Sequence, residues 1–119
     1  MTTYFGFALA AGMFQGDGNV AFRQASVEEA QAIVETATGD GTLQSCLNPS
    51  HAPTIEAMRG RYGINVPIPE KAPFANLAAG DSLVVMGVRG LPRLEGRHEY
   101  TEEEIASASF TFSVWTRTA

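Results

Sequence analysis

Three side chains of this sequence, His51, Arg93 and Glu95, are of the types that can together cleave a phosphodiester bond of RNA. In that reaction the ribose 2′-hydroxyl attacks the adjacent phosphorus, an arginine stabilises the added negative charge, and a histidine protonates the departing 5′-oxygen. Such a reaction needs no metal ion. Because the nucleophile belongs to the substrate, the chemistry is restricted to ribose-containing phosphodiesters.

Arg93 lies in a loop with two further arginines. The apolar run from Leu83 to Val88 is bounded by turn residues and predicts a buried strand. In the loop that follows it, Arg89, Arg93 and Arg97 alternate with glycines and a proline. A guanidinium binds phosphate through a planar fork of donors, so the loop is a candidate phosphate site. The alternative is an ordinary basic loop in contact with solvent.

His51 is predicted to lie at the start of a helix. Two prolines flank it in the segment 48–53, and proline is tolerated in the first turn of a helix. The pattern predicts a helix from about His51 to Tyr62, capped by Ser50 and ended by Gly63. The free amides and partial positive charge of such an end attract phosphate. The alternative is a histidine that is merely exposed there.

Charge is unevenly distributed along the chain. The formal net charge is −5, of which residues 1–50 contribute −4, residues 51–97 contribute +2 and residues 98–119 contribute −3. An acidic remainder would repel a long DNA or RNA backbone, whereas a local basic pocket can hold a small phosphate ligand. The distribution therefore favours a small anionic ligand over a long nucleic acid.

Several other chemistries lack their sequence signals. Two histidines, His51 and His98, and one cysteine, Cys46, do not give the spacing of a metal site, and we expect no metal. No phosphate-binding Walker loop, dinucleotide fingerprint or nucleophile elbow is present, so no cofactor is expected. The single cysteine suits a reducing compartment and is expected to be a small core residue.

The remaining pattern predicts one domain over residues 1–119. Two capping boxes mark helix starts, Ser26 with Glu29 and Thr101 with Glu104, and the first of these helices is expected to end at Gly39. Predicted strands are Thr3–Leu9, inside the sheet, Val20–Arg23, Thr42–Leu47, an edge strand Asn65–Ile68, Leu83–Val88 and Phe110–Thr116; predicted helices are 27–38, 51–62 and 102–108. In the last strand Trp115 falls opposite the core side, which suggests a homodimer contact.

Several short motifs, in this order and spacing, resemble those of the small STIV-type proteins of archaeal viruses and phages. That family includes the viral ring nucleases, which act as type III anti-CRISPR proteins. The similar segments are Ser26-Val27-Glu28-Glu29-Ala30, His51-Ala52-Pro53-Thr54, Gly80-Asp81, Arg93-Leu94-Glu95-Gly96, Thr101-Glu102-Glu103-Glu104-Ile105 and Phe110–Trp115. Ser50 stands where the family has a glycine before the histidine.

The resemblance implies a single α/β domain with a mixed β-sheet flanked by two to three helices, the STIV-like viral ring nuclease fold, assembled as a symmetric homodimer. It further implies a basic cleft that binds and cuts cyclic tetra-adenylate. His51 would then be the general acid, Arg93 the phosphate-binding cation and Glu95 the catalytic carboxylate. Ligand-binding positions would be Ser50, Thr54, Lys71, Arg89 and Arg97.

Two departures from the family pattern leave a second hypothesis open. The family spaces its motif as Arg-Leu-x-Glu-Gly, whereas Glu95 directly follows Leu94, and a one-residue shift turns an extended side chain to the opposite face. The first strand offers Phe7-Ala8-Leu9-Ala10 where the family has polar residues that contact the ligand.

The first hypothesis is accordingly a metal-independent ring nuclease of a phage or prophage, acting in the host cytosol. The second is a non-catalytic protein that sequesters a cyclic nucleotide or blocks a host defence protein by contact. The third is a small dimeric protein whose basic loop binds anions adventitiously. No apolar run is long enough for a membrane span, and the chain starts without a secretory signal, so no membrane partner is expected.

Overall fold

A computed structural model describes residues 1–91 and 100–119 of the chain. The elements in chain order are β1 (Thr3–Gly6), β2 (Val20–Ala25), α1 (Val27–Asp40), β3 (Leu43–Ser45), α2 (Ala52–Tyr62), β4 (Ser82–Arg89), α3 (Glu102–Ser107) and β5 (Ser109–Arg117). Short 3-10 turns cover Ala11–Met13 and Pro49–His51. None of the described helices is long and apolar enough to cross a bilayer.

The five strands form one mixed sheet in the order β2-β5-β4-β1-β3. β1 pairs in parallel with both β3 and β4, whereas β5 pairs antiparallel with both β4 and β2. β1 therefore lies inside the sheet, as predicted, although it ends at Gly6 and not at Leu9. The sheet and its three helices confirm the α/β fold that the resemblance implied.

Helices cover one face of the sheet. Phe5, Val84 and Val114 lie at paired positions of three strands, so their side chains share that face. They form one buried cluster with residues of both long helices, including Val34 of α1 and Met58 of α2. This cluster is the main core, and it fixes the position of α2 over the sheet.

Loops cover part of the opposite face. Leu83 of β4 is fully buried there with Ala75 and Leu77, and the partly buried Trp115 packs against them. Trp115 thus lies on the side away from the helices, as the alternation predicted. Its indole Nε1 donates a hydrogen bond to the Ser113 hydroxyl at 3.0 Å. The suggested homodimer contact at this residue stays a prediction.

Helix ends follow local chemistry. α1 begins at Ser26, where the predicted capping box with Glu29 is present in full. Its predicted end at Gly39 is wrong, because Gly41, with φ of 70°, is the residue that takes the left-handed conformation. The capping box at Thr101 is also confirmed, and α2 ends at Gly63 as predicted.

The predicted edge strand Asn65–Ile68 is wrong. This segment pairs with no strand of the part of the chain that is described, yet Ile64 and Val66 are fully buried. Pro67 and Pro69 have no N–H to give to a ladder, so the segment packs through side chains in an irregular conformation. The predicted strand Thr42–Leu47 shortens to the three residues of β3.

Candidate functional site

His51 lies at the edge of the sheet where β1 and β4 end. These strands are parallel, with Gly6 opposite Val85, so their carboxyl ends meet at one edge. The exposed imidazole contacts the Phe7 ring edge-on, with ring centroids 5.2 Å apart and an interplanar angle of 70°. Parallel strand ends of this kind are where open α/β sheets place ligands.

A small cavity opens beside the imidazole. Its volume is about 280 Å³. The lining residues are Phe7, His51, Thr54, Met86, Gly87 and Val88. His51 and Thr54 supply its only polar side chains among the described residues, so the cavity is an apolar notch with one imidazole and one hydroxyl at its rim. We call it the His51 cavity.

The turn that precedes α2 fixes the backbone at His51. The Asn48 side chain accepts a hydrogen bond from the Ser50 amide at 2.9 Å, and the Asn48 carbonyl accepts one from the His51 amide at 3.0 Å. The Ala52 amide donates to the Pro49 carbonyl. His51 is therefore the last residue before α2, and its ring projects from a hydrogen-bonded turn.

One sequence prediction fails at this turn. Ser50 does not cap α2, because the residue at the cap position is His51 and no side chain makes a capping bond there. The amides of Ser50, His51 and Ala52 are not free for phosphate, since each already donates to an oxygen of the turn.

The other predicted ligand-binding residues lie apart. Thr54 lines the His51 cavity, and Ser50, the residue before His51, is exposed. Lys71 is exposed in the connection before β4 and lines neither of the cavities described here. Arg89, at the end of β4, lines a different and larger groove on the sheet face away from the helices. Arg93, Glu95 and Arg97 lie outside the described residues, so their convergence with His51 stays a prediction.

The larger groove has a volume of about 750 Å³. It runs along the face of β2, β5 and β4 that points away from the helices, and its lining residues include Phe22, Gln24, Gly87, Arg89, Thr111 and Ser113. Sequence reasoning missed this groove. The available signal was the alternation of hydroxyl residues with core aromatics in β5, which marks one face of that strand as polar.

The described residues offer neither a metal-binding cluster nor an activated thiol. Within residues 1–91 and 100–119, no group of three His, Cys, Asp or Glu side chains is arranged to hold a metal ion. Cys46 is partly buried against the cluster of Ala75, Leu77 and Leu83, and burial raises the pKa of its thiol. A thiol in that setting behaves as a small apolar side chain.

The arrangement defines a class of fold: an α/β domain in which a mixed five-stranded sheet has its helices on one face. A solved structure of this class is B116 of Sulfolobus turreted icosahedral virus (STIV), to which the chain is similar with a TM-score of 0.74. The sequences are 16% identical, and the match covers 98% of this chain and 99% of that chain. The likeness shows the fold, and it confirms the STIV-like part of the resemblance. No protein-family model and no curated protein sequence matches the chain.

Proposed function

We propose that this chain is an anti-defence protein of a phage or prophage that binds a cyclic oligoadenylate, such as cyclic tetra-adenylate, and cleaves it without a metal. The observation that supports this best is the exposed imidazole of His51 beside an apolar cavity where two parallel strands end. The motif resemblance and the STIV-like fold add to it.

His51 acts as the general acid in this proposal. The ribose 2′-hydroxyl attacks phosphorus and loses its proton to water. The bond from phosphorus to the 5′-oxygen breaks, and the imidazolium gives its proton to that oxygen. The products are a linear chain with a 2′,3′-cyclic phosphate at one end and a 5′-hydroxyl at the other. Arg93 stabilises the charge on the phosphoryl oxygens, and Glu95 is the third member of the set.

The size of the His51 cavity favours a shared site. At about 280 Å³ it lies just below the range of about 300–1,000 Å³ for ligand pockets. One such cavity suits a single nucleotide unit of a ring. A symmetric homodimer would bring two of them to one cyclic ligand, with one His51 for each scissile phosphate.

The test is a cleavage assay with radiolabelled cyclic tetra-adenylate in EDTA. We expect linear products from the natural sequence and a rate lower by about 100-fold or more for His51→Ala, in the range of general-acid contributions. His51→Gln keeps a polar side chain but has no acidic proton, so it should bind the ring and leave it uncut. Because His51 is exposed, neither change should alter stability by more than about 0.5 kcal/mol. Cleavage by His51→Ala at the natural rate would contradict the assignment.

A second function is favoured by the cavity wall. Phe7 presents an apolar ring to the imidazole where the family pattern has polar ligand contacts. A protein with such a wall can sequester a cyclic nucleotide, or block a host defence protein by contact, without catalysis. Tight binding of cyclic tetra-adenylate with the ring recovered intact would favour sequestration over cleavage.

A further inference from the structure

The groove on the sheet face away from the helices has an aromatic side chain at one end. Phe22 of the edge strand β2 is 53% exposed, which is unusual for so large an apolar ring. Its ring lies against Trp115, with centroids 4.4 Å apart and an interplanar angle of 42°. The indole covers part of the Phe22 ring, and a planar group can stack on the part of the ring that stays exposed.

A cation lies at the other end of the groove. Arg89 is the only charged residue among the described residues that line it. The side chain is exposed and has no hydrogen-bond or ion-pair partner within the described part of the chain. A guanidinium without a carboxylate partner attracts an anion, and its planar fork fits a phosphate.

Hydroxyl groups form the floor between these ends. Ser109, Thr111 and Ser113 follow one another at every second position of β5 on this face. Gly87 keeps the floor open opposite Thr111, because a Cβ at position 87 would lie 2.7 Å from the Thr111 hydroxyl oxygen. Donors and acceptors are therefore spaced along the groove where sugar and base groups of a ligand could bond.

The length of the groove limits the ligand. Trp115, opposite Phe22, and Ser109, opposite Arg89, are six positions apart, which is about 20 Å at the rise of a β-strand. The reach of the arginine side chain shortens this, yet the remaining span exceeds one nucleotide. The chain's formal net charge of −5 works against a long polyanion.

We propose that this groove binds a short linear oligonucleotide of about two nucleotides, with one base stacked on Phe22 and a phosphate at Arg89. Stacking on an aromatic ring combined with a cationic contact to the backbone is the general mode of single-strand recognition. This site lies on the opposite face of the sheet from His51, and its occupation does not depend on cleavage there.

The probe is 5′-phosphorylated linear di-adenylate. Trp115 is the only tryptophan, so its fluorescence reports on a base that stacks beside it, and calorimetry gives the affinity. We expect saturable binding that Phe22→Ala and Arg89→Gln each weaken at least about tenfold. Arg59→Gln is the matched control, because it removes the same charge from an exposed ion pair with Glu56 on α2 and should bind as the natural sequence does.

Two further measurements separate this site from the His51 cavity. Phe22→Ala should cleave or bind cyclic tetra-adenylate as the natural sequence does. If this variant loses only the binding of di-adenylate, the di-adenylate site is the groove and not the His51 cavity. Absence of di-adenylate binding, or equal binding by Phe22→Ala and Arg89→Gln, overturns the proposal whether or not the ring is cleaved. Sedimentation that shows a dimer dissociated by Phe22→Ala, without ligand binding, also overturns it, since the face is then a protein interface.

Discussion

At the scale of single residues, Asp81 is the buried acidic side chain of the described structure, at 7% exposure. One carboxylate oxygen accepts a hydrogen bond from the Thr2 amide at 2.7 Å, and the other accepts one from the Ala78 amide at 2.9 Å. The side chain thereby holds the segment before β1 against the turn before β4. Its role is structural, and it explains the Gly80-Asp81 motif without any chemistry.

Replacement of this carboxylate tests that role. Asp81→Asn keeps the shape but can accept at only one of its two terminal atoms, so one amide loses its partner. We expect a loss of about 1–3 kcal/mol in the free energy of unfolding, measured with urea. Asp17→Asn makes the same chemical change at an exposed side chain and should be neutral. Equal stability of the two variants would contradict the assignment.

The residue types around His51 predicted its position in the chain correctly, but they did not predict the hydrogen bonds of the turn that surrounds it. The prolines around it placed it correctly at the start of α2. The use of the local amides could not be foreseen, because Asn48 competes with Ser50 for the capping role and only the turn geometry decides between them. The sequence analysis grouped Arg89 with Arg93 and Arg97 in one candidate phosphate site. Its position in β4 instead places Arg89 on the sheet face opposite to His51.

At the scale of elements, the start of α1 combines a capping box with an ion pair. Arg23 donates a hydrogen bond to the Glu29 carboxylate, and the Ser26 amide donates a second one. Both hydrogen bonds lower the pKa of Glu29. A carboxyl whose pKa is lower in the folded state stabilises the fold above its ordinary pKa. That stabilisation is lost as pH falls through the lowered pKa.

A pH series of unfolding experiments checks this sign. The difference in free energy of unfolding between the natural sequence and Glu29→Gln should be largest at neutral pH and should shrink on acidification. Glu35→Gln is the control, since Glu35 is exposed on the same helix without a described partner. A constant difference across the acid range, or an equal effect of the two variants, would refute the contribution of the ionised carboxylate.

Elements with strong local signals were predictable, and those without were not. Both capping boxes located helix starts, and the alternation in β5 gave its core face correctly. The segment from Asn65 to Ile68 has the apolar residues of a strand, but a strand also needs a partner, which no local pattern supplies. The order of the strands likewise depends on long-range pairing, and the sequence analysis did not predict it.

At the scale of the whole molecule, Arg117 joins segments that are far apart in the chain. Its guanidinium donates to the carbonyls of Leu77, Gln15 and Asp17, and its Nε donates to the carbonyl of Ala119. These bonds fasten the loops that cover the Trp115 side of the sheet. A planar fork of five donors is required for such a set, and an ammonium cannot reproduce it.

Arg117→Lys therefore keeps the charge and removes most of the bonds. We expect a loss of about 1–3 kcal/mol in the free energy of unfolding. Hydrogen exchange should also accelerate at the Leu77 amide, which donates to the Met13 carbonyl in the covering loops. Arg59→Lys, at an exposed ion pair, provides the comparison and should leave both quantities unchanged. Unaltered exchange at Leu77 in Arg117→Lys would show that the loops are held by other contacts.

The strand order also has a consequence for synthesis on the ribosome. Among the described strands β2 pairs only with β5, through residues 112–117, so β2 has no strand partner there until β5 emerges. Contacts of such high sequence separation close slowly. Until β5 has been made, the aromatic edge around Phe22 is therefore exposed on the nascent chain, where it is open to chaperones and to pairing with neighbouring polypeptides.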